Sequence, residues 1–156
     1  MRLTLISVGR VAESFIQDGC AFYARRISYY AEFHPVVVRE ERVASQGKEE
    51  YILRKEGQRI REKVPRGAFS IVLDERGRLI SSTALARSLE KWGRTGGREI
   101  VFLLGGPYGL DPELRESGDF CLSLSSMTLT HGMARLLLME QIYRALTLLR
   151  GEPYHK

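Results

Sequence analysis

A long apolar helical stretch near the C-terminus places the strongest constraint on how this chain folds. Wound at 3.6 residues per turn, it carries one continuous apolar stripe, made of Ala134, Leu138, Ile142, Ala145 and Leu149. Further apolar residues point elsewhere, namely Leu136, Leu137, Tyr143 and Leu148. A helix that is apolar nearly all round must be covered on more than one side. We expect the chain's own core to cover one side, and a partner subunit or another stretch of chain to cover the other.

Strands and helices alternate along the rest of the chain. Runs rich in Leu, Ile and Val predict five strands, at residues 3–8, 33–39, 68–73, 99–104 and 120–124. Amphipathic stretches predict helices at residues 14–30, 48–64 and 82–92, a short one opened by Asp111-Pro112, and the long C-terminal one. Three consecutive valines, Val36, Val37 and Val38, favour a strand covered on both faces. This pattern predicts a single α/β domain over residues 1–156, built on a mostly parallel sheet.

Local signals give finer expectations about where these elements begin, end and face. In the charged second helix, Tyr51, Ile52 and Ile60 are expected to face inward, and the loop before it, residues 42–50, is expected to move. The third strand is expected to end at residues 74–77. Ser82 is expected to cap the third long helix, and Gly93, Gly96 and Gly97 are expected to end it.

Composition and charge exclude several classes of protein. The 156 residues are 44% hydrophobic and 28% charged, which is typical of a soluble globular protein with a real core. A net charge of +5 is compatible with a polyanionic partner but fits an ordinary basic protein equally well. Cys20 and Cys121 match no metal or redox spacing. Without a signal peptide or a membrane-spanning run, the expected location is the cytoplasm.

Three predicted strand ends carry residues that suit a ligand site. They are residues 73–77, the glycine turn at residues 105–109, and residues 124–129. In an open parallel sheet, ligands bind beyond the carboxyl ends of the strands, and glycines let the main chain approach a ligand closely. The glycine turn matches neither a phosphate-binding loop nor the dinucleotide fingerprint. Taken alone, it reads more readily as a tight turn.

Polar residues around the long helix allow both a structural and a functional interpretation. The hydroxyls of Ser123, Ser125, Ser126, Thr128 and Thr130 could bind a ligand or cap the helix. His131 reads as a helix-start residue, with Arg135 one turn on, and Glu140 with Arg144 reads as a structural ion pair. The tail Tyr154-His155-Lys156 combines an aromatic ring, an imidazole and an amine. That combination suits stacking on a base, proton exchange and contact with phosphate.

Four motifs, in this order and at this spacing, resemble those of the ribosomal RNA large subunit methyltransferase H family. They are LLGGPYGL at residues 103–110, LSLSSMTLTH at residues 122–131, the run from Arg135 to EQIYRA at residues 140–145, and the ending GEPYHK at residues 151–156. The chain length and the N-terminal strand agree with the family as well. The resemblance therefore covers the whole chain, and no single motif decides it.

The resemblance implies a fold, an activity and a set of site residues. The implied fold is the trefoil-knotted α/β fold of the SPOUT methyltransferases, with a mostly parallel sheet of five or six strands, working as a homodimer. The implied activity is methyl transfer from S-adenosylmethionine to N3 of a pseudouridine in 23S ribosomal RNA, without a metal. Carried over by position, the cofactor site comprises Leu73, Gly105, Leu124, Ser125, Ser126, Met127, Thr128 and Leu129.

The chemistry of the reaction suggests roles for the remaining polar residues. N3 of pseudouridine carries a proton at neutral pH, and His155 is the side chain best suited by type to remove it. Tyr154 could stack on the target base, Arg135 could stabilise developing charge, and Arg144 and Lys156 could hold RNA phosphates. The modest net charge favours an assembled ribosomal particle as the substrate. The alternatives are an RNA-binding module without catalysis, a small Rossmann-type nucleotide enzyme, and a knotted methyltransferase for another RNA.

Overall fold

A computed structural model, which describes residues 1–42, 48–94 and 99–156, shows the alternation of strands and helices that the sequence predicts. The elements are β1 (Arg2–Val8), α1 (Ser14–Ile27), β2 (Glu32–Val38), α2 (Glu49–Arg61), β3 (Phe69–Leu79), α3 (Ser82–Arg94), β4 (Ile100–Leu104), α4 (Pro112–Glu116), β5 (Phe120–Ser123) and α5 (His131–Leu149). The five strands form one sheet in which every neighbouring pair is parallel. The predicted α/β class is confirmed, with a parallel sheet of five strands.

The order of the strands decides where a ligand can bind. Across the sheet they run β2-β1-β4-β3-β5. The common dinucleotide-binding order instead places the third strand outside the second, so the Rossmann-type alternative is wrong. Because β4, β3 and β5 are neighbours and parallel, their carboxyl ends meet at one edge of the sheet. Two of the three places that the sequence singled out lie just after β4 and β5, and the third, residues 73–77, lies within β3. The trefoil knot implied by the resemblance stays a prediction.

Helices cover both faces of the sheet, which explains the unbroken apolar sequence of β4. Phe102 packs into a core shared with α1, α3 and α5, whereas its neighbours Val101 and Leu103 pack with Ile60 of α2 and Leu114 of α4. All five residues of β4 are buried. A central parallel strand with helices on both faces has no solvent side, so it needs no polar alternation.

Helix α5 is covered more completely by its own chain than its all-round apolar sequence suggested. Leu138, Ile142 and Ala145 are fully buried, and α1 and α3 both pack against the helix. Gly19 of α1 makes this contact possible, because a Cβ there would lie 2.7 Å from Cδ1 of Leu136. Leu149, the last residue of the predicted stripe, remains partly exposed.

Two expectations about burial are wrong. The three valines lie on β2, which is an edge strand rather than a strand covered on both faces, and Val37 is 51% exposed. Tyr51 of α2 is also exposed, while Ile52 and Ile60 face inward as predicted. An edge strand has one hydrogen-bonded neighbour and can leave one side open, which a run of valines alone does not reveal.

Three expectations about boundaries are also wrong. Strand β3 does not end at residues 74–77 but bulges there and continues, so that Leu122 of β5 pairs with both Leu73 and Arg78. Gly77 permits the bulge, because a Cβ there would lie 2.6 Å from the main chain of Leu122. Ser81, not Ser82, supplies the side chain that caps α3, accepting the N–H of Ala84 at 3.1 Å. Gly93 lies inside α3 rather than beyond its end.

The remaining expectations fall partly outside the described residues. Residues 43–47 of the loop before α2, and Gly96 and Gly97, lie there. Within residues 1–42, 48–94 and 99–156, no helix is long and apolar enough to cross a membrane, and no cluster of His, Cys, Asp and Glu could hold a metal ion. Both cysteines are half-buried and free of disulfides, and burial raises the pKa of both thiols.

Candidate functional site

The carboxyl ends of β4 and β5, together with the bulge of β3 at residues 73–76, line a cavity of about 590 Å³. This volume lies within the range of roughly 300–1,000 Å³ that is typical of small-molecule sites. Seven of the eight predicted cofactor residues line it: Leu73, Gly105, Leu124, Ser125, Met127, Thr128 and Leu129. Ser126, the eighth, does not line it. The structure thus brings together almost the whole predicted set at one place.

The glycine turn after β4 forms one wall of the cavity out of main chain. Gly109 N–H donates to the carbonyl oxygen of Gly106 at 3.0 Å, and Gly109 has a φ of +90°. A Cβ on Gly105 would lie 2.1 Å from the carbonyl oxygen of Gly109, so only glycine fits at position 105. The turn therefore presents closely spaced peptide groups, which can hydrogen-bond the edge of a heterocycle.

The loop between β5 and α5 forms the opposite wall, and its hydroxyls mostly shape the loop. Ser123 Oγ donates to the carbonyl oxygen of Ser125 at 3.0 Å, and Ser125 Oγ accepts the N–H of Met127 at 2.9 Å. Thr130 caps α5 by accepting the N–H of Met133. These bonds support a structural role for the hydroxyls. The groups that face a ligand are then main chain and apolar side chains.

A charged group at the cavity wall was only partly visible in the sequence. Asp74 accepts hydrogen bonds from Arg76 and lies 3.6 Å from Arg115 of α4. Burial alone would raise the pKa of Asp74, but the bonds from Arg76 and the positive charges of both arginines outweigh it and lower that pKa. The strand end pointed to Asp74 and Arg76. Nothing in the sequence pointed to Arg115, because it reaches the site from another element.

Glu56 of α2 is a buried carboxyl behind the glycine turn that the sequence did not reveal. Its Oε1 accepts the N–H of Glu41 at 3.0 Å, and its Oε2 has no hydrogen-bond partner among the described residues. Oε2 lies 3.4 Å from the place where a Cβ on Gly106 would stand. Burial raises the pKa of Glu56, opposed by the Glu41 N–H and by Arg59. In the sequence, a Glu in so charged a helix reads as a solvent-facing residue.

Replacing Glu56 with Gln is expected to raise the melting temperature at about pH 8 and to lose that advantage at about pH 4. The pKa of Glu56 is higher in the folded than in the unfolded chain, so ionisation disfavours the folded state as the pH rises, and an amide cannot ionise. Thermal unfolding at both pH values measures the difference. Glu50→Gln, a highly exposed position on the same helix, serves as the control. A pH-independent difference for Glu56→Gln would contradict the prediction.

The C-terminal residues that were expected to be catalytic do not lie at this cavity. His155 lines a second cavity of about 470 Å³ beside α3 and α5, which shares residues 122–124 with the larger cavity. Tyr154 packs on α5, where its hydroxyl donates to Glu140 Oε1 at 3.1 Å. Lys156 is exposed. Within one subunit, no residue of the tail lines the larger cavity.

The two predicted arginines make internal contacts. Arg144 forms the predicted ion pair with Glu140, at 2.6 Å, and its Nη1 lies 3.5 Å from Nδ1 of His155. Arg135 is buried, and its Nη2 donates to the carbonyl oxygens of Val8 and Gly9 at 3.1 and 2.8 Å. Arg135 does not line the larger cavity. It lies where it can hold the end of β1 against α5.

Comparison with known proteins agrees with this geometry. The family model described as "Predicted SPOUT methyltransferase" matches residues 1–155. The chain belongs to this family. Its methyl donor is S-adenosylmethionine. The glycine turn, where no Cβ could be added at Gly105, fits a cofactor held by main chain.

Named relatives match over the whole chain. A protein of Syntrophotalea carbinolica named "Ribosomal RNA large subunit methyltransferase H" is 44% identical over 155 residues, which is 99% of each chain. A protein of the same name from Halothermothrix orenii is 38% identical over 159 residues and covers both chains completely. A probable methyltransferase from Bordetella pertussis has a similar fold, with a TM-score of 0.53 and 17% identity over 93% of this chain and 96% of that one.

Proposed function

We propose that this SPOUT methyltransferase methylates N3 of a pseudouridine in 23S ribosomal RNA. The observation that carries the proposal is the cavity beside three neighbouring parallel strands, walled by the main chain of a glycine turn, in a chain that matches ribosomal RNA methyltransferases over its full length. Family membership makes the chain an RNA-directed methyltransferase, and the identity of the nucleotide is the finer part of the proposal. With ribosomal RNA as its substrate, the enzyme would act in the cytoplasm, where ribosomes are assembled.

The cofactor would be held mainly by peptide groups. Gly105 and residues 124–129 supply main chain on opposite walls, and Leu73, Leu124 and Leu129 supply apolar surface for a purine ring. S-adenosylmethionine supplies an electrophilic methyl group carried on a positively charged sulfur. Leu73, Leu124 and Leu129 would exclude water from the part of the cofactor that they cover.

The RNA side of the reaction needs groups that the cofactor cavity does not contain. N3 of pseudouridine becomes a nucleophile only when its proton leaves, and His155 is the tail residue whose side chain is suited to accept that proton. Lys156 is exposed and free to meet phosphate. Arg144 is less suited to RNA, since Glu140 already neutralises its charge. Arg135 is buried against the end of β1 and is proposed to have a structural role.

A homodimer would bring the two halves of the site together. The tail of one subunit does not line its own cofactor cavity, and in a dimer it could complete the site of the other subunit. Helices α1 and α5 leave large apolar side chains exposed, including Phe15, which is 64% exposed, and Phe22 and Met133. Burying this surface against a second copy would stabilise the dimer. Each subunit of this dimer would be a single domain of residues 1–156.

The proposal is tested by mapping 23S ribosomal RNA by mass spectrometry from cells with and without this protein. One pseudouridine is expected to lose its methyl group in the deletion strain and to regain it when purified protein and S-adenosylmethionine are added to deletion-strain ribosomes. Free 23S RNA is expected to be a poorer substrate, because a net charge of +5 offers few phosphate contacts. An unchanged map would refute the proposal, and a change in another RNA would favour the alternative substrate.

A further inference from the structure

The C-terminal tail is folded back onto its own subunit at a glycine. At the end of α5, Glu152 N–H donates to the carbonyl oxygen of Thr147 at 3.0 Å, and Gly151 N–H donates to that of Leu148 at 3.1 Å. Gly151 has a φ of +70°, and this combination is a Schellman motif. The chain therefore reverses after α5, and the tail runs back along the helix.

Tyr30, just beyond the end of α1, binds the first residue of the tail. Its hydroxyl donates to Glu152 Oε2 at 2.6 Å. The bond to the Glu152 carboxylate raises the pKa of Tyr30 to about 12, so the hydroxyl keeps its proton throughout the physiological range. The guanidinium of Arg150 lies over the Tyr30 ring, 5.9 Å from its centroid. No motif in the sequence connects Tyr30 with Glu152, which are 122 residues apart.

Tyr154, two residues further on, makes a second set of contacts that hold the tail in place. Its ring centroid lies 4.7 Å from that of Tyr143 in an edge-on arrangement, and the Arg144 guanidinium lies over the ring at 4.6 Å. Its hydroxyl donates to Glu140, and burial raises the pKa of Tyr154, aided by its bonds to Tyr23 and Glu140. A ring engaged in this way is not available to stack on a base.

We propose that Tyr30 and Tyr154 are positioning residues for the methyl transfer reaction. Together with Glu152 and Glu140 they form what we call the tail clamp, two tyrosine–carboxylate bonds that fix the direction in which His155 and Lys156 leave the subunit. This inference rests on the proposed function, in which those two residues act on the RNA. Holding the reacting groups in one geometry lowers the barrier, and a misplacement of about 1 Å can cost roughly 100-fold in rate.

Tyr30→Phe removes one hydroxyl and is expected to lower kcat by about 10- to 100-fold while KM for S-adenosylmethionine stays unchanged. KM for S-adenosylmethionine is expected to stay unchanged because Tyr30 does not line the cofactor cavity. Hydrogen exchange of the Glu152 amide, which donates to the carbonyl oxygen of Thr147, is expected to accelerate in the same variant. Tyr29→Phe is the matched control, since Tyr29 is the adjacent tyrosine and is 84% exposed. It should leave kcat and exchange at wild-type values.

A double-mutant cycle tests whether the two partners act as one unit. Glu152→Ala, which removes the acceptor of the Tyr30 hydroxyl, should lower kcat about as much as Tyr30→Phe, and the double variant should lose no more than either single one. Fully additive losses, or a Tyr30→Phe variant with wild-type kcat and wild-type tail exchange, would overturn the clamp. Tyr154→Phe, which keeps the ring and loses the bond to Glu140, should likewise lower kcat and leave KM for the cofactor unchanged.

The outcomes separate failure of the clamp from failure of the proposed function. If a chain ending at Glu152 methylates ribosomes at the native rate, the tail has no chemical role and the proposed function of the tail fails. If that chain is inactive while Tyr30→Phe is fully active, only the clamp fails. The exchange measurement needs no RNA, so it tests the fastening of the tail even if the substrate proves to be another RNA.

Discussion

A chain that ends at Glu152 is expected to bind S-adenosylmethionine normally and to have lost methylation of ribosomes. The deletion removes Tyr154, His155 and Lys156, none of which lines the cofactor cavity. It also removes the proton acceptor proposed for N3, and loss of a general base costs at least about 100-fold in rate. Isothermal titration with the cofactor and methyl incorporation into deletion-strain ribosomes measure the two properties separately.

Single substitutions then identify which part of the tail matters. His155→Gln should reproduce most of the loss in single-turnover rate if the imidazole removes the proton. If it weakens ribosome binding and leaves single-turnover chemistry intact, His155 is an RNA contact. Lys156→Ala should weaken binding in a salt-dependent manner with little change in the chemical step. Native activity in the truncated chain would contradict a chemical role for the tail altogether.

The fold and the cofactor wall were predictable because their signals are local. Buried parallel strands read as apolar runs, and residues 73, 105 and 124 mark where those runs stop, although β3 itself continues beyond residue 73. Parallel strands in one sheet then bring the ends to one edge, provided that they are neighbours. The order β4-β3-β5, which makes them neighbours, is a long-range property and became visible only in the structure.

The residues that were missed are those whose roles depend on contacts between distant parts of the chain. Arg115 of α4 lies close to Asp74, and Tyr30, just beyond the end of α1, bonds to Glu152. Glu56 is buried because α2 packs behind the glycine turn. Each lies in a polar or charged stretch that reads as a solvated surface. Sequence patterns report which face of an element is buried, and they do not report which element it meets.

Gly105→Ala is expected to abolish S-adenosylmethionine binding. The added methyl group would lie 2.1 Å from the carbonyl oxygen of Gly109, a main-chain atom that cannot turn away as a side chain would. The turn must open, and the peptide groups that form the cavity wall move with it. Gly93→Ala is the control, because a Cβ there meets only the flexible end of Met1, at 3.3 Å. Cofactor binding at the wild-type level in Gly105→Ala would contradict a main-chain cofactor site.

Mixing the two inactive variants tests whether the site is shared between subunits. The Gly105→Ala subunit keeps its tail, and the subunit ending at Glu152 keeps its cofactor cavity. If the tail acts across the dimer, each mixed dimer has one complete site of its two. Half of the dimers in an equal mixture are mixed, so the mixture should recover about a quarter of wild-type activity. If the tail acts within its own subunit, no mixed dimer contains a complete site and the mixture stays inactive. Recovery therefore requires both a dimer and a tail that crosses it.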